Sequence, residues 1–199
     1  MTKADFRRDC LARQRGAAAH NRPYLDRLLA AAVYREIRRS EGRSVLLFWP
    51  LRSEPDLRPL IRRLRREGYR VYLPFMEGAS FRMVPFRYPM KRKKFGIYEP
   101  GDTKRTIKKT DIAVVPAVGV DAQARRIGFG KGMYDRFFAM LKTRPKTIFV
   151  QLKRCMTNEK ICDDYDVSAD VLLTPTACYE TAGIHHDKRT DLRRCHRHH

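Results

Sequence analysis

The apolar residues of this chain are gathered into short, nearly continuous runs that alternate with stretches of helical spacing. Apolar runs of this length are typical of strands that are buried on both faces of a sheet. Prolines follow three of the runs, at Pro50, Pro74 and Pro116, and a proline favours the end of a strand because it cannot donate to the ladder. We therefore predict buried strands at residues 45–49, 69–73, 112–115, 147–152 and 171–173, and an edge strand at 81–86.

Helical spacing of apolar residues marks the stretches between these strands. It is strong at residues 24–39, thinner at 3–16, and present again at 132–143. Ser53 suits the N-cap of a further helix, whereas residues 91–106 are typical of a loop. Strands that alternate with amphipathic helices predict an α/β fold with a largely parallel sheet. In such a sheet, ligands gather at the carboxyl ends of the strands.

A glycine-rich segment follows the predicted strand at 112–115 and leads into the helix at 132–143. Residues 125–135 read Arg-Arg-Ile-Gly-Phe-Gly-Lys-Gly-Met-Tyr-Asp. Glycines let backbone amides approach an anion, a helix start adds unpaired N–H groups, and Arg and Lys donate charge-assisted hydrogen bonds. The spacing differs from a Walker A loop and from the dinucleotide fingerprint. The segment predicts a phosphate site, and a surface turn with scattered charges is the alternative.

The charge of the chain favours anionic partners without choosing among them. The net charge of +21 comes from 43 basic and 22 acidic residues, which suits nucleotides, polyanionic metabolites or nucleic acid. The basic runs at 62–66 and 91–94 are typical of a solvated face, and no aromatic-interleaved basic motif is present. We therefore do not expect nucleic acid as a partner. Histidines concentrate near the C-terminus, which disfavours a histidine base or metal ligand in the core.

The cysteines form no Cys-x-x-Cys pair. An odd, dispersed set disfavours a disulfide framework and a structural zinc site, so we expect free thiols that serve mainly in packing. The five are Cys10, Cys155, Cys162, Cys178 and Cys195.

The remaining features predict a globular protein without a membrane segment. No apolar run approaches the length of a transmembrane helix, and the N-terminus lacks the apolar stretch of a signal peptide. We therefore expect a cytoplasmic location, one domain over residues 1–184, and a basic, loosely docked His/Arg-rich tail at 185–199.

Several blocks of the sequence, in order along the chain, resemble the 5-formyltetrahydrofolate cyclo-ligase family, also called methenyltetrahydrofolate synthetases. Val-Pro-Ala-Val-Gly-Val-Asp at 115–121 and Arg-Ile-Gly-Phe-Gly-Lys-Gly-Met-Tyr-Asp-Arg at 126–136 carry most of the resemblance. Lys3 and Arg7 keep the family's Lys-x-x-x-Arg spacing. The resemblance extends over residues 3–174, with further matches at 48–54, 95–100 and 166–174.

The resemblance implies one Rossmann-like α/β domain, with a largely parallel sheet flanked by helices on both faces. It implies an ATP- and Mg²⁺-dependent enzyme that converts 5-formyltetrahydrofolate to 5,10-methenyltetrahydrofolate and releases ADP and phosphate. The formyl oxygen attacks the γ-phosphate, N10 then attacks the resulting imidate phosphate, and phosphate leaves. We expect a monomer or a dimer, and the basic surface would attract polyglutamylated folates.

The resemblance also implies roles for individual residues. Asp135 and Asp170 are the predicted Mg²⁺ ligands. Glu54 is predicted to accept hydrogen bonds from the folate, and Tyr134 is predicted in the catalytic, ATP-binding and substrate-binding sets. The other catalytic residues are Arg126 and Lys131. The other ATP-binding residues are Lys3, Arg7, Arg126, Gly128, Gly130, Lys131 and Gly132, and the remaining substrate-binding residues are Trp49, Leu51, Phe129 and Met133.

Each role has a simpler alternative. Asp135 could be a helix-surface charge, Asp170 a turn residue, and Glu54 a first-turn helix residue. Met133 departs from the family, which commonly has an aromatic residue there, and methionine would weaken ring stacking. For the whole chain, the alternatives are a basic α/β nucleic-acid-binding protein and a non-catalytic relative that binds folate or nucleotide.

Overall fold

The computed structural model describes residues 1–19, 21–93, 98–101, 107–181 and the backbone of 192–194. The four helices among these residues are α1 (Lys3–Ala19), α2 (Arg22–Arg39), α3 (Arg58–Arg66) and α4 (Met133–Ala139). The strands are β1 (Ser44–Leu46), β2 (Arg70–Glu77), β3 (Ser80–Pro85), β4 (Met90–Arg92), β5 (Tyr98–Pro100), β6 (Ile112–Pro116), β7 (Gly119–Val120), β8 (Arg126–Ile127), β9 (Lys146–Val150), β10 (Val171–Leu173), β11 (Cys178–Thr181) and β12 (Leu192–Arg194).

Eight of these strands form the main sheet, in the order β12-β11-β10-β9-β6-β1-β2-β3. The five central strands from β10 to β2 are parallel, while β3, β11 and β12 pair antiparallel at the two sides. The predicted α/β class with a largely parallel sheet is confirmed, and β3 is the predicted edge strand. The carboxyl ends of β1 and β6 therefore point to the same edge of the sheet.

Helices cover both faces of the sheet, as predicted. Alternate residues of β1 show this directly, since Val45 packs in the cluster formed with α2 and α3, whereas Leu46 packs in the cluster that contains Phe137 of α4. Both residues are fully buried. The continuous apolar runs are thus explained by a sheet with two covered faces.

Several predicted boundaries were wrong for identifiable reasons. The second strand continues past Pro74, which pairs with Met83 of β3. β1 contacts β2 only as far as Tyr72, so Pro74 needs to donate no hydrogen bond on that side. The helix predicted after Ser53 begins only at Arg58, with Leu57 at its N-cap, so Ser53 does not cap it.

Other segments also differ from their predictions. The helix expected at 132–143 spans only Met133–Ala139. The loop expected at 91–106 contains part of the β4–β5 hairpin, and residues 94–97 and 102–106 lie outside the described residues. Within the predicted tail, Leu192–Arg194 form β12 and pair with β11, while the other tail residues are not described. No helix of the described residues is long and apolar enough to cross a membrane.

The expectation of free thiols was wrong. Cys10 of α1 and Cys155, which follows β9, form a fully buried disulfide, and Cys178 is also disulfide-bonded. Cys162 is a buried free thiol. Even in a dispersed set of cysteines, the fold brings together residues whose sequence separation is 145, and this proximity cannot be read from spacing.

The disulfide fixes a helix that has little other apolar contact. Phe6 and Cys10 are the buried apolar residues of α1, and buried Gln14 donates hydrogen bonds to the carbonyls of Ala117 and Val118 at 3.2 and 2.8 Å. These residues recur at i, i+4 and i+8, so they form one narrow stripe. The contacts of this stripe and one covalent bond thus hold the middle of α1 to the domain, while Lys3 and Arg7 attach its first turns.

Removal of the Cys10–Cys155 bond is expected to destabilise the protein strongly. Closing a loop of this length constrains the unfolded chain by about 5 kcal/mol in the chain-entropy account. We expect Cys10→Ala/Cys155→Ala to lose roughly 3–5 kcal/mol of unfolding free energy, measured by urea denaturation without reductant. Cys162→Ala is the control, because it removes a buried sulfur without opening a disulfide and should cost roughly 1–2 kcal/mol. Equal losses in the two variants would contradict a tethering role.

Candidate active site

The glycine-rich loop joins β8 to α4 and folds over the side chain of Arg126. Arg126 is only 6% exposed, and its Nε donates a hydrogen bond to the carbonyl of Pro116, at the end of β6, at 2.9 Å. A Cβ at Gly128 would lie 2.3 Å from a guanidinium nitrogen of Arg126. Gly132, at the start of α4, has a φ of +58° that a side chain would strain. The glycines are therefore required for the loop to pass this close to a buried cation.

Three groups surround the guanidinium of Arg126. The carboxylate of Asp135 lies 4.0 Å from it, and the ring centroid of Tyr134 lies 4.9 Å from its central carbon. Burial lowers the pKa of Arg126, while the fields of Asp135, Tyr134 and Glu54 act in the opposite direction. A guanidinium has so high an ordinary pKa that it stays charged near neutral pH. Arg126 is thus a fixed positive charge beneath the loop.

Helix α1 brings two more cations to the loop. Arg7 donates from Nε to the carbonyl of Gly128 at 2.8 Å. Lys3 lies 2.5 Å from Asp166 and 3.2 Å from Asp163. Burial acts to lower the pKa of Lys3, but its hydrogen bonds to Asp166 and Asp163 outweigh this and raise it. The helix therefore docks with its first turns at the loop, as the predicted roles of Lys3 and Arg7 require.

These groups line one cavity of about 440 Å³. We call it the phosphate cavity, after the ligand that the sequence predicts for it. It brings together most of the residues predicted to bind ATP, and Asp135 lies in its wall. The predicted residues that line it are Lys3, Arg7, Arg126, Gly128, Gly130, Lys131, Gly132 and Asp135. A group of cations and glycine amides that converge on one cavity is suited to a polyphosphate.

Sequence reasoning missed other residues of this cavity, among them Tyr165, Asp166 and Arg136. Asp166 is buried and also accepts a hydrogen bond from the amide of Asp163 at 2.8 Å. Its pairing with Lys3 joins residues 163 positions apart, so no local spacing could have indicated it. Arg136 donates to the carbonyls of Ala79 and Lys131, and it therefore fixes the loop to the β2–β3 turn.

The two predicted metal ligands lie in different surroundings. Asp135 faces the cavity, and its Oδ1 accepts a hydrogen bond from the amide of Val167 at 3.1 Å. Asp170 is not among the residues lining the cavity. Its carboxylate accepts from the amide of Thr147 at 2.7 Å and lies 3.3 Å from Arg144. The structure therefore does not bring Asp170 to the predicted phosphate site.

The donor set of the cavity fits Mg²⁺ bound together with a nucleotide. Within the described part of the chain, no three His, Cys, Asp or Glu side chains are grouped as a complete metal site. Mg²⁺ in nucleotide sites is commonly held by one or two carboxylates together with phosphate oxygens and water. Asp135 and Asp166 both line the cavity, so carboxylate oxygen is present where such an ion would lie.

Glu54 is a buried carboxyl group at the carboxyl side of β1. It is 8% exposed, and its Oε2 accepts a hydrogen bond from the amide of Leu51 at 2.8 Å. Burial raises the pKa of Glu54 to about 7, although the Leu51 amide and the positive charge of Arg126 act to lower it. Glu54 is therefore poised to exchange a proton near neutral pH. It does not lie in helix α3, so its predicted alternative role in a first helical turn is wrong.

The predicted ring-binding residues fall into two groups. Met133 and Tyr134 are partly buried against the core on the α4 side of the sheet, and Phe129 is 40% exposed at the tip of the loop. Trp49 packs against the other core, with its ring centroid 5.9 Å from that of Phe86. Trp49 and Leu51 follow β1 and do not line the phosphate cavity. They precede Glu54 on the same segment, whereas Phe129 lies within the loop and Tyr134 in the first turn of α4.

Comparisons with known proteins show the family to which the chain belongs. The family model described as the 5-formyltetrahydrofolate cyclo-ligase family matches residues 1–175. The chain is 31% identical over 144 residues to the 5-formyltetrahydrofolate cyclo-ligase of Mycolicibacterium smegmatis. The aligned region covers 67% of this chain and 74% of that protein. It is 28% identical over 149 residues to the enzyme of the same name from Escherichia coli, with 69% of this chain and 80% of that protein covered.

Two solved structures share the fold. The 5,10-methenyltetrahydrofolate synthetase of Aquifex aeolicus superposes with a TM-score of 0.74 at 24% identity, and covers 100% of this chain and 98% of that one. The enzyme of that name from Mycoplasma pneumoniae gives a TM-score of 0.69 at 18% identity, with 88% and 99% covered. The family match spans the glycine loop, the phosphate cavity and the Glu54 segment, and the chain therefore belongs to the 5-formyltetrahydrofolate cyclo-ligase family.

Proposed function

We propose that the protein catalyses the ATP- and Mg²⁺-dependent cyclisation of 5-formyltetrahydrofolate to 5,10-methenyltetrahydrofolate, with release of ADP and phosphate. The observation that carries the proposal is the cavity in which a buried arginine, two cations of α1 and the glycine loop converge. Family membership supplies the folate substrate class. A cytoplasmic location remains a prediction of the sequence.

The proposed chemistry needs charge placement more than it needs an acid or a base. The formyl oxygen attacks the γ-phosphorus, the bond from that phosphorus to the β–γ bridging oxygen breaks, and ADP leaves. N10 then adds to the activated carbon, the carbon–oxygen bond breaks, and phosphate leaves with the proton that N10 gives up as the ring closes. The first step moves negative charge onto the bridging oxygen and the β-phosphate. Fixed cations stabilise such charge without reorganising.

The residues of the cavity suit this task. Arg126 is buried and fixed by Pro116, so its charge is preorganised. Lys131 is exposed at the rim of the cavity, where it can close on a bound nucleotide. Lys3 and Arg7 reach the same cavity from α1. We assign these four cations to the triphosphate, together with the amides of Gly128, Gly130 and Gly132.

Asp135 is the residue that we assign to Mg²⁺. Its side chain is 13% exposed and lies in the cavity wall. When bound, Mg²⁺ would neutralise charge on the nucleotide phosphates. Asp166 already pairs with Lys3, so its first role in our scheme is to hold that ammonium group in place.

Glu54 is assigned to the folate. With a pKa near neutrality, the carboxyl group can donate a hydrogen bond when protonated and accept one when ionised. Trp49 and Leu51 on its own segment, and Phe129, Met133 and Tyr134 on the loop and α4, are assigned to the walls around the folate rings. Their apolar and aromatic surfaces suit planar rings.

A direct assay of cyclisation tests the proposal and the role of Asp135. Purified protein is incubated with 5-formyltetrahydrofolate, Mg²⁺ and ATP, and the ultraviolet absorbance of the product is followed, with ATP omitted as a blank. Asp135→Asn keeps the shape and the acceptor for the Val167 amide but removes the charge, so we expect kcat to fall about 100-fold.

Asp170→Asn is the matched control for this variant. Because Asp170 lies outside the cavity, we expect its kcat to stay within about threefold of the original value. A loss in Asp170→Asn as deep as that in Asp135→Asn would place the essential carboxylate at Asp170 instead. Absence of ATP-dependent product in the unmodified protein would refute the proposed reaction.

The buried carboxyl group of Glu54 should make stability depend on pH. Its pKa is raised from 4.5 to about 7 in the folded protein, so the folded state binds the proton more tightly than the unfolded state. The contribution of Glu54 to stability therefore falls as pH rises from about 4.5 to about 7, and the deficit persists above that range. Glu54→Gln should lack this slope and be more stable at pH 8 by about 3 kcal/mol.

Urea denaturation of both proteins between about pH 5 and pH 8 measures this difference. Glu67→Gln, at an exposed position on the surface, supplies a carboxylate change without burial and should give a nearly flat difference curve. A flat curve for Glu54→Gln would contradict the shifted pKa.

In the cyclisation assay, we expect Glu54→Gln to raise KM for the folate about tenfold or more and leave KM for ATP unchanged.

A further inference from the structure

A second basic site lies on α3, apart from the phosphate cavity. Arg62, Arg65 and Arg66 stand at i, i+3 and i+4, so they share one face of the helix. All three are exposed. The opposite face carries Leu60, Ile61 and Leu64, which are buried in the core. The arginine face is therefore held rigidly toward solvent by the packing beneath it.

Aromatic side chains from the segment after β3 form the other wall. Phe86 and Tyr88 line a groove of about 660 Å³ together with the three arginines and Pro59. The Arg65 guanidinium lies 5.5 Å from the ring centroid of Phe86. Tyr88 is 54% exposed, and its ring meets Phe86 edge-on at 5.1 Å. The groove thus presents one accessible ring, that of Tyr88, which packs against the buried ring of Phe86.

The groove continues into a smaller adjoining cavity of about 250 Å³. Arg65 and Phe86 line both spaces, and Arg70 and Arg87 add two further exposed guanidinium groups. The strip of surface formed by these two spaces, which is lined by Arg62, Arg65, Arg66, Arg70 and Arg87, is called the arginine groove below. Five arginines therefore face one strip of surface, and the described residues that line the two spaces include no carboxylate.

Arginines elsewhere on α3 pair with carboxylates. Arg58 pairs with Asp56 at 2.6 Å, and Arg63 pairs with Glu67 at 2.9 Å. Across the described ranges, none of the five groove arginines has an ion pair with a carboxylate. Like charges held close together repel one another, and a bound polyanion relieves that repulsion.

We propose that the arginine groove binds single-stranded nucleic acid. The guanidinium groups would contact successive phosphates, and a base would stack on the exposed ring of Tyr88. Stacking on an aromatic ring beside a positively charged track is the mode by which single strands bind without sequence preference. A duplex keeps its bases stacked inside and would leave Tyr88 without a partner, so the ring favours a single strand.

This site is distinct from the phosphate cavity and does not depend on the proposed reaction. The two share no lining residue, and the cavity contains carboxylates and a glycine loop that suit a small nucleotide with its metal ion. The three arginines of α3 and the rings of Phe86 and Tyr88 come from segments about twenty residues apart, so the sequence does not show them as one motif. The fold places α3 beside the segment after β3 and so assembles the combination that a linear motif would need.

The test measures anisotropy of a fluorescein-labelled, mixed-sequence 20-nucleotide RNA, without ATP or folate, across about 50–300 mM salt. We expect Arg62→Ala/Arg65→Ala/Arg66→Ala to weaken binding at least about tenfold and to lower the slope of log K against log salt by about 2. Tyr88→Ala should weaken binding about fivefold or more without changing that slope. Thermal melting checks that each variant is folded.

The control variant is Arg13→Ala/Arg15→Ala/Lys153→Ala, which removes the same charge from exposed positions outside the groove. It should keep most of the affinity. Equal weakening by the two triple variants would show a response to net charge alone and would overturn the proposal. Unchanged binding in the groove variant, or a preference for a duplex of the same length, would overturn it as well.

Discussion

The buried guanidinium of Arg126 is the constraint on which the active site depends. It bonds to the carbonyl that ends β6, it forces glycine at the position that passes over it, and it faces both Asp135 and the Glu54 segment. A buried cation is costly unless partners surround it. Its close partners come from the end of β6 and from α4. Holding one charge in place therefore fixes the glycine loop and α4 relative to the end of β6.

Helix α1 completes the cavity although it contributes little to the core. Its apolar stripe is narrow, and its docking depends on Gln14, on the Cys10–Cys155 bond and on the pairs made by Lys3 and Arg7. The residues that anchor it to the domain lie on the same helix as Lys3 and Arg7, which line the cavity and which we assign to the nucleotide. Nucleotide affinity and attachment of the helix should therefore be coupled, because a bound polyphosphate adds contacts to the helix that the core does not provide.

The sequence predicted the sheet and the loop because both leave local patterns. Continuous apolar runs indicated strands covered on two faces, and the alternating glycines indicated a close approach to an anion. The disulfide and the Lys3–Asp166 pair were not predictable, since each depends on residues brought together only by the tertiary fold. Asp170 shows the same limit: its block of sequence resembles the family, yet its carboxylate bonds to the Thr147 amide rather than facing the cavity. Local pattern therefore identified the elements, whereas side-chain direction needed the structure.

The chain has two sites of positive charge, the phosphate cavity and the arginine groove, and they differ in kind. In the phosphate cavity, cations are interleaved with Asp135 and Asp166, so the field there is strong but local, and it suits a small ligand that brings its own metal ion. In the arginine groove, the arginines have no carboxylate partner among the described residues and are spread along a surface, so the field extends outward and suits a long polyanion. On the same helix, Arg58 and Arg63 pair with carboxylates, whereas Arg62, Arg65 and Arg66 have no such partner among the described residues. The absence of such partners across the described groove is the physical reason to assign it a ligand of its own.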